Sequence, residues 1–337
     1  MKGHAGLTLM NCLLLAGCQS LWSFEPRAYF DPLTAGVRDA NVSALAFGRA
    51  DRFDYQVEPT STRQVWDIDL GFELPLMGWE SLPAVNGRVA PGALGLGFWI
   101  PIDFHMIEDF EDDSNPIINT DYRFGAMTKL QYGLSPVSHL ATRLFLGHES
   151  THLGDEFSLA GQRAFPNSFE RINVSWEYLD VALQYERAHA RGFWRIRGGL
   201  TTTIPFGDSY YSVDVNSATE SAVGPVIESH NSVDPYLGFE YERNPLQLKA
   251  SGPLTQWGGY LSMEIRHRSI YDYHRADAGL AEQRTPSINV IAGIQKVSGR
   301  FDRVSPFLRF YHGVNPHGQF RNQSGYTQYG VGLRLQR

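Results

Sequence analysis

From Leu94 to Met106 every second residue is large and apolar: Leu94, Leu96, Phe98, Ile100, Ile102, Phe104 and Met106. Gly95, Gly97, Trp99, Pro101, Asp103 and His105 fill the positions between them. A period of two belongs to an extended strand, whose side chains point alternately to opposite faces, and is incompatible with a helix. The same alternation runs through Trp66, Ile68, Leu70, Phe72 and Leu74, opposed by Asp67, Asp69, Gly71 and Glu73. It returns in Leu179–Glu186, Leu237–Glu242 and Leu261–Arg266. About twelve segments of this kind can be marked, a number and length that suit strands crossing a membrane at a tilt. They lie near 41–50, 65–74, 94–106, 122–132, 140–150, 173–186, 193–204, 236–242, 259–267, 287–296, 305–313 and 326–335.

Composition narrows the architecture. The 337 residues are 42% hydrophobic and 19% charged, with a formal net charge of −7. That is too apolar for a disordered chain. No uninterrupted apolar run reaches the roughly 18 residues of a spanning helix, so helical membrane insertion is excluded. A membrane β-barrel is compatible, because lipid-facing and lumen-facing residues average to a polar-looking whole. Mild acidity without a Lys/Arg block argues against nucleic acid as a partner. The face opposite the apolar one carries Asp, Glu and Arg on strand after strand, which fits a lumen better than the core of a soluble sandwich. Asp67, Asp69, Glu73, Asp103, Glu240, Glu242 and Glu264 oppose Arg123, Lys129, Arg143, Arg195, Arg197, Arg266 and Arg334. In so narrow a barrel these charges predict a plugged, salt-bridged lumen rather than an open pore.

The expected fold is therefore an all-β, about 12-stranded antiparallel transmembrane barrel of the outer-membrane type. Its start resembles a bacterial lipoprotein signal. Lys2 supplies a positive charge, Ala5–Leu15 an apolar core too short to span, and Leu15-Ala16-Gly17-Cys18 a lipobox in which Cys18 is acylated. Gln19, rather than Asp, follows; by resemblance to other lipoproteins this allows sorting to the outer membrane. The expected organisation is signal peptide 1–17, periplasmic tether 18–40 and barrel 41–337. Cys12 leaves with the signal, so the mature chain has no free thiol or disulfide. Gln328-Tyr329-Gly330-Val331-Gly332-Leu333-Arg334-Leu335 resembles the terminal strand read by the barrel assembly machinery, although Gln336 and Arg337 replace the usual terminal aromatic.

One run stands out for chemistry: His148-Glu149-Ser150-Thr151-His152, followed by Asp155 and Glu156. It matches H-E-x-x-H, the helical zinc motif. Here it ends an alternating strand (Leu140, Thr142, Leu144, Leu146), where residues i and i+4 lie about 13 Å apart, too far for one metal ion. A second reading uses the strand phase. His148 and Ser150 share the lipid face, and Asn173 of the next strand has the same phase, so an antiparallel pairing can bring it beside His148. Ser as nucleophile, His as base and a polar residue orienting the His is triad logic. The arrangement resembles outer-membrane phospholipase A, a twelve-stranded barrel with His-x-Ser on its wall. That resemblance implies Ser150 as nucleophile, His148 as base, Asn173 as orienter, and calcium as a cofactor, for which Asp155 and Glu156 are candidate oxygen donors. His152 is a secondary candidate. Thr151-His152 stands where that family has Asn-Gly, and its loop to the Asn is shorter. The third reading is structural: His148, Ser150 and His152 bond to loop backbone or lipid headgroups at the end of a strand.

Further stretches resemble a bacterial family catalogued as domain of unknown function 1207: Phe30-Asp31-Pro32-Leu33 with Val37-Arg38-Asp39-Ala40, Ile118–Arg123, Ser150–Phe157 and Arg171–Ser175. The resemblance implies architecture rather than an activity. Two functions remain open: a lipid acyl-ester hydrolase on the barrel wall, and a non-enzymatic barrel serving as narrow channel, binding protein or envelope scaffold. The partners implied are outer-membrane lipids and the assembly machinery, with a homo-dimer as a further option.

Overall fold

The computed structural model describes residues 21–23, 30, 32–37, 39–51, 62–82, 89–111, 113, 115–154, 171–204, 210–213, 233–243, 257–270, 283–296, 303–318 and 324–336. Fourteen strands occur among them: β1 (Leu21–Ser23), β2 (Val42–Asp51), β3 (Thr62–Glu80), β4 (Leu94–Asp109), β5 (Ile117–Ser135), β6 (Ser138–Leu153), β7 (Arg171–His189), β8 (Gly192–Ile204), β9 (Tyr210–Val213), β10 (Val233–Arg243), β11 (Trp257–Ile270), β12 (Gln283–Lys296), β13 (Arg303–Gly313) and β14 (Tyr326–Gln336). Twelve of these pair antiparallel in one closed ring, in chain order from β2 to β14 without β9, and β14 pairs back onto β2. Closure leaves no unpaired edge in the ring, the condition for crossing hydrocarbon with strands. β1 pairs with the end of β3, and β9 with the start of β7.

All twelve alternating segments became ring strands, most of them longer than the alternation suggested. One phase slips. In β2 the buried positions are Leu45, Gly48 and Ala50, with Phe47 and Arg49 exposed on the outside. A bulge between Leu45 and Gly48 absorbs the odd spacing.

The two faces are inverted relative to a soluble protein. The outer surface exposes Leu70, Phe72, Leu74, Phe124, Leu144, Leu146, Leu183, Leu237, Leu308 and Leu333, among others. The lumen buries Asp67, Asp103, Arg123, Lys129, Arg143, Asp180, Arg197, Glu240, Glu264 and Arg266. An apolar surface of this extent is stable only against lipid. Aromatic residues lie near both rims of the wall: Trp66, Phe110 and Tyr122 at one, Tyr132, Tyr185, Trp194 and Tyr241 at the other. Girdles of this kind mark the two membrane–water interfaces.

The lumen is filled, as the charge pattern predicted, and partly by a segment that the sequence reading placed elsewhere. The expected periplasmic tether ends at residue 40, yet Phe30, Leu33, Thr34, Ala35 and Asp39 of that stretch, with Asn41 just after it, are buried inside the barrel. The segment has no ladder of its own, so barrel side chains satisfy its backbone. Thr34 N donates to Glu240 Oε2 (2.8 Å) and Ala35 N to Ser262 Oγ (2.9 Å). The carbonyls of Phe30, Pro32, Ala35 and Val37 accept from Lys129, Arg195, Asn289 and Arg123. A second inward turn follows β13. Gly313 opens it with φ +141°, where a Cβ would meet Ser287 at 2.4 Å, and residues 314–318 are buried at the rim opposite the start of β2.

Candidate functional site

β6 carries the run singled out above at its C-terminal end. Its alternation persists to the last turn: Glu149 and Thr151 are buried in the lumen, while His148, Ser150 and His152 lie on the lipid-facing wall. This removes the H-E-x-x-H zinc reading, since the Glu and the two His are on opposite sides of the wall.

The wall residues pair differently from expectation. The partner of Ser150 is His152: Ser150 Oγ lies 3.0 Å from His152 Nε2. His148 instead turns Nδ1 to Glu177 Oε1 of β7 at 3.2 Å and packs its ring against Phe124, with centroids 5.0 Å apart. The ring of His152 meets Tyr122 edge-on at 5.5 Å. Register explains the exchange. In the β6–β7 ladder His148 stands opposite Glu177, Ser150 opposite Ser175 and Thr151 opposite Val174. The ladder ends at that pair; Asn173 is the next residue of β7, pairs on its other side with Tyr211 of β9, and lies four residues from the position opposite His148. The expectation that Asn173 neighbours His148 is thus corrected by four residues of register. The side chain of Asn173 lies outside the described residues, as do Cys18, Asp155 and Glu156.

The lumen is lined with buried ion pairs. Asp39 of the inner segment bonds Arg143 of β6 and Arg197 of β8, and Arg143 also meets Asp180 at 2.7 Å. Burial alone would raise the Asp39 carboxyl, but the charges of Arg197 and Arg143 outweigh it and hold the group well below the usual carboxylate range. The Phe30 ring lies under both guanidiniums, 4.4 Å from Arg197 and 5.1 Å from Arg143. Around this centre Asp103 pairs with Arg123, Glu73 with Lys129, Glu186 and Glu240 with Arg195, and Glu264 with Arg266. Arg334 bonds Thr34 and Asn41 of the inner segment. Such pairing is what permits full charges away from bulk water.

The sequence reading missed the inner segment as a lumen element. Its signal was the apolar spacing Leu33, Ala35, Val37 just before β2, unusual for a solvated tether.

No curated protein matches this sequence. Among solved structures, outer membrane phospholipase A from Escherichia coli is similar at 12% identity over 88% of this chain and 89% of that one, with a TM-score of 0.44. The translocator domain of the autotransporter NalP from Neisseria meningitidis is similar at 8% identity over 99% and 96%, with a TM-score of 0.43. The CymD monoaromatic hydrocarbon channel is similar at 8% identity over 89% of each chain, with a TM-score of 0.38. The likeness is one of barrel architecture. Residues 94–207, which span β4 to β8, match the family described as Protein of unknown function (DUF1207), the family the sequence resembles.

Proposed function

We propose that this chain is an outer-membrane barrel bearing a serine-type acyl-ester hydrolase site on its lipid-facing wall. One observation carries the reading: the 3.0 Å contact between Ser150 Oγ and His152 Nε2, on the side of the wall that faces lipid. A Ser and a His within hydrogen-bond reach of each other are the minimal nucleophile and base. In this proposal His152 Nε2 takes the proton of Ser150 as Oγ attacks an ester carbonyl, and returns it to the departing alcohol. Water then releases the acyl group by the reverse proton path. His152 replaces His148 as base, and Asn173 is the orienting residue. His148 packs against Phe124 and Glu177 and takes no part in the proton transfer. The substrate class is a phospholipid or the acylated glycolipid of the outer leaflet, both of which present esters at the depth of an aromatic girdle.

The proposal extends to topology. Acylated Cys18 lies three residues before β1, which pairs with β3 at the rim where β2 begins. That rim then faces the periplasm and the Ser150 rim faces outward. Calcium held by Asp155 and Glu156 is part of the same proposal.

The test is turnover of phospholipid and lipid A by the folded full chain in detergent, with and without calcium, against Ser150→Ala. The expected result is turnover in the wild type that falls by at least ~10²-fold in the variant. A folded wild-type barrel that cleaves neither substrate with or without calcium, or a Ser150→Ala variant as active as wild type, overturns it.

The non-enzymatic reading has its own supporting observation, the lumen occupied by residues 30–41. It favours a binding or scaffold protein over a channel.

A further inference from the structure

Behind the wall, at the same rim, lies a cluster that the proposed hydrolase does not use. Asp67 of β3, His105 of β4 and His317 of the turn after β13 are all buried. One ligand atom from each lies within 4.8 Å of the other two. Asp67 Oδ1 is 2.6 Å from His105 Nε2, and the rings of His105 and His317 are 4.6 Å apart, tilted by 38°. Two imidazoles and one carboxylate, brought from three separate stretches of chain to one buried point, make a donor set suited to borderline divalent cations. We propose that Asp67, His105 and His317 form a zinc-type metal site that fastens the β13–β14 turn to the barrel wall.

The surroundings are those of a metal site in two respects. First, the carboxylate is already oriented. Asp67 Oδ2 accepts from Arg309 (2.9 Å) and from Gln328 Nε2 (2.8 Å), which leaves Oδ1 directed at the histidines. Outer hydrogen bonds of this kind fix a ligand's aim. Ligand bonds of about 2.0–2.2 Å place neighbouring donors slightly over 3 Å apart. The cation therefore replaces the shared proton of the Asp67–His105 contact after a small outward shift. Second, the local charge is unbalanced. His105 has Asp69 as its cross-strand partner on one side and Asp121 on the other. Asp103 and Glu149 lie on the same inner faces, and Arg123, Arg309 and Arg334 are guanidiniums beside these groups. Buried carboxylates outnumber guanidiniums here, so a bound divalent cation lowers the cost of their burial.

The turn is shaped to deliver His317. Val314 N donates to Ser287 Oγ (2.9 Å), His317 N to Asn315 Oδ1 (3.0 Å), and Gly318 N reaches both oxygens of Asp121 (3.2 and 3.1 Å). Arg268 holds the Asn315 carbonyl at 3.2 Å. Metal binding at this point cross-links β3, β4 and the β13–β14 connection, and closes one mouth of the lumen over the inner segment.

The experiment uses the full chain folded in detergent micelles, stripped with a chelator and titrated with Zn²⁺ by calorimetry, with bound metal counted by mass spectrometry. Wild type is expected to hold one Zn²⁺ per chain. His317→Ala, which lies outside the strand ladder, is expected to weaken binding at least tenfold. His312→Ala, at an exposed histidine bonded to Thr327, is expected to leave it unchanged. Folding of each variant is read from its resistance to detergent unfolding at room temperature. Wild type that binds no Zn²⁺, or His317→Ala that binds as wild type does, overturns the site. Should His317→Ala fail to fold, X-ray absorption of the Zn²⁺-loaded wild type decides: two imidazoles in the coordination shell support the site, and a shell with fewer overturns it.

Discussion

Asp39, three residues before β2, forms a buried ion pair with Arg197 of β8 deep in the lumen, and the same carboxylate also bonds Arg143 of β6. One acidic residue of the inner segment therefore neutralises cations from two strands that β7 separates. Asp39→Asn removes the carboxylate shared by Arg197 and Arg143, while Arg143 keeps Asp180, a loss on the order of 3–5 kcal/mol. The pH dependence follows from the depressed carboxyl. A group whose folded pKa lies below its unfolded value stabilises fully above the unfolded value, and that contribution disappears as pH falls through the interval between the two. Wild-type stability, followed by urea unfolding in micelles, should fall more steeply than that of Asp39→Asn once pH drops below about 4. Equal slopes would show that Asp39 is not held ionised by the two arginines.

The two wall histidines separate the proposed chemistry from packing. His152→Ala removes the group within reach of Ser150 and should lower kcat by about 10²–10⁴-fold with little change in the unfolding midpoint. His148→Ala loses the partly exposed Glu177 contact and ring packing, an effect of about 1 kcal/mol or less on stability. Its kcat should stay within a few-fold of wild type. Turnover that follows His148 instead would restore the base assignment drawn from sequence spacing.

Periodicity survives translation into structure where each residue's environment is set by its neighbours along the strand. Leu94–Met106 could be read as a two-faced strand because the wall is two-faced everywhere along β4. Which histidine meets Ser150 could not be read, because β6–β7 register sets Glu177 opposite His148 and gives that ring another partner. The inner segment was hidden for a related reason. Leu33, Ala35 and Asp39 have no period of their own to follow, and their partners Glu240, Ser262 and Arg197 lie far along the chain. The role of His317 was hidden in the same way, since its partners come from β3 and β4.

Lys129 and Glu73 offer a double-mutant cycle inside the lumen. Lys129 is fully buried, pairs with Glu73 of β3 and donates to the Phe30 carbonyl at 2.9 Å. Lys129→Met strands the Glu73 charge and one inner-segment carbonyl, and should cost about 3 kcal/mol or more. Adding Glu73→Gln removes the stranded charge, so the double variant should be more stable than Lys129→Met alone. The coupling energy is expected at about 1–3 kcal/mol. Additive unfolding energies would show the pair to be uncoupled.

Gly318 and Gly325 flank the same connection and should respond differently to alanine. A Cβ on Gly318 would lie 2.7 Å from Thr151 Cγ2 and 2.9 Å from Asp121 Oδ1, both inside the lumen wall, so the turn has to withdraw. At Gly325 nothing lies within 4 Å, and the only obstacle is a φ of +77°. Gly325→Ala should therefore cost about 1 kcal/mol through backbone conformation alone and leave the turn in place. Gly318→Ala should cost about 1–3 kcal/mol and release residues 314–318 from the lumen. Amide hydrogen exchange distinguishes the two outcomes. Faster exchange over 314–318 is expected in Gly318→Ala only, with β13 and β14 protected in both variants, because the turn contributes nothing to their ladder. Unchanged protection of the turn in Gly318→Ala would mean that Thr151 and Asp121 yield instead of the loop.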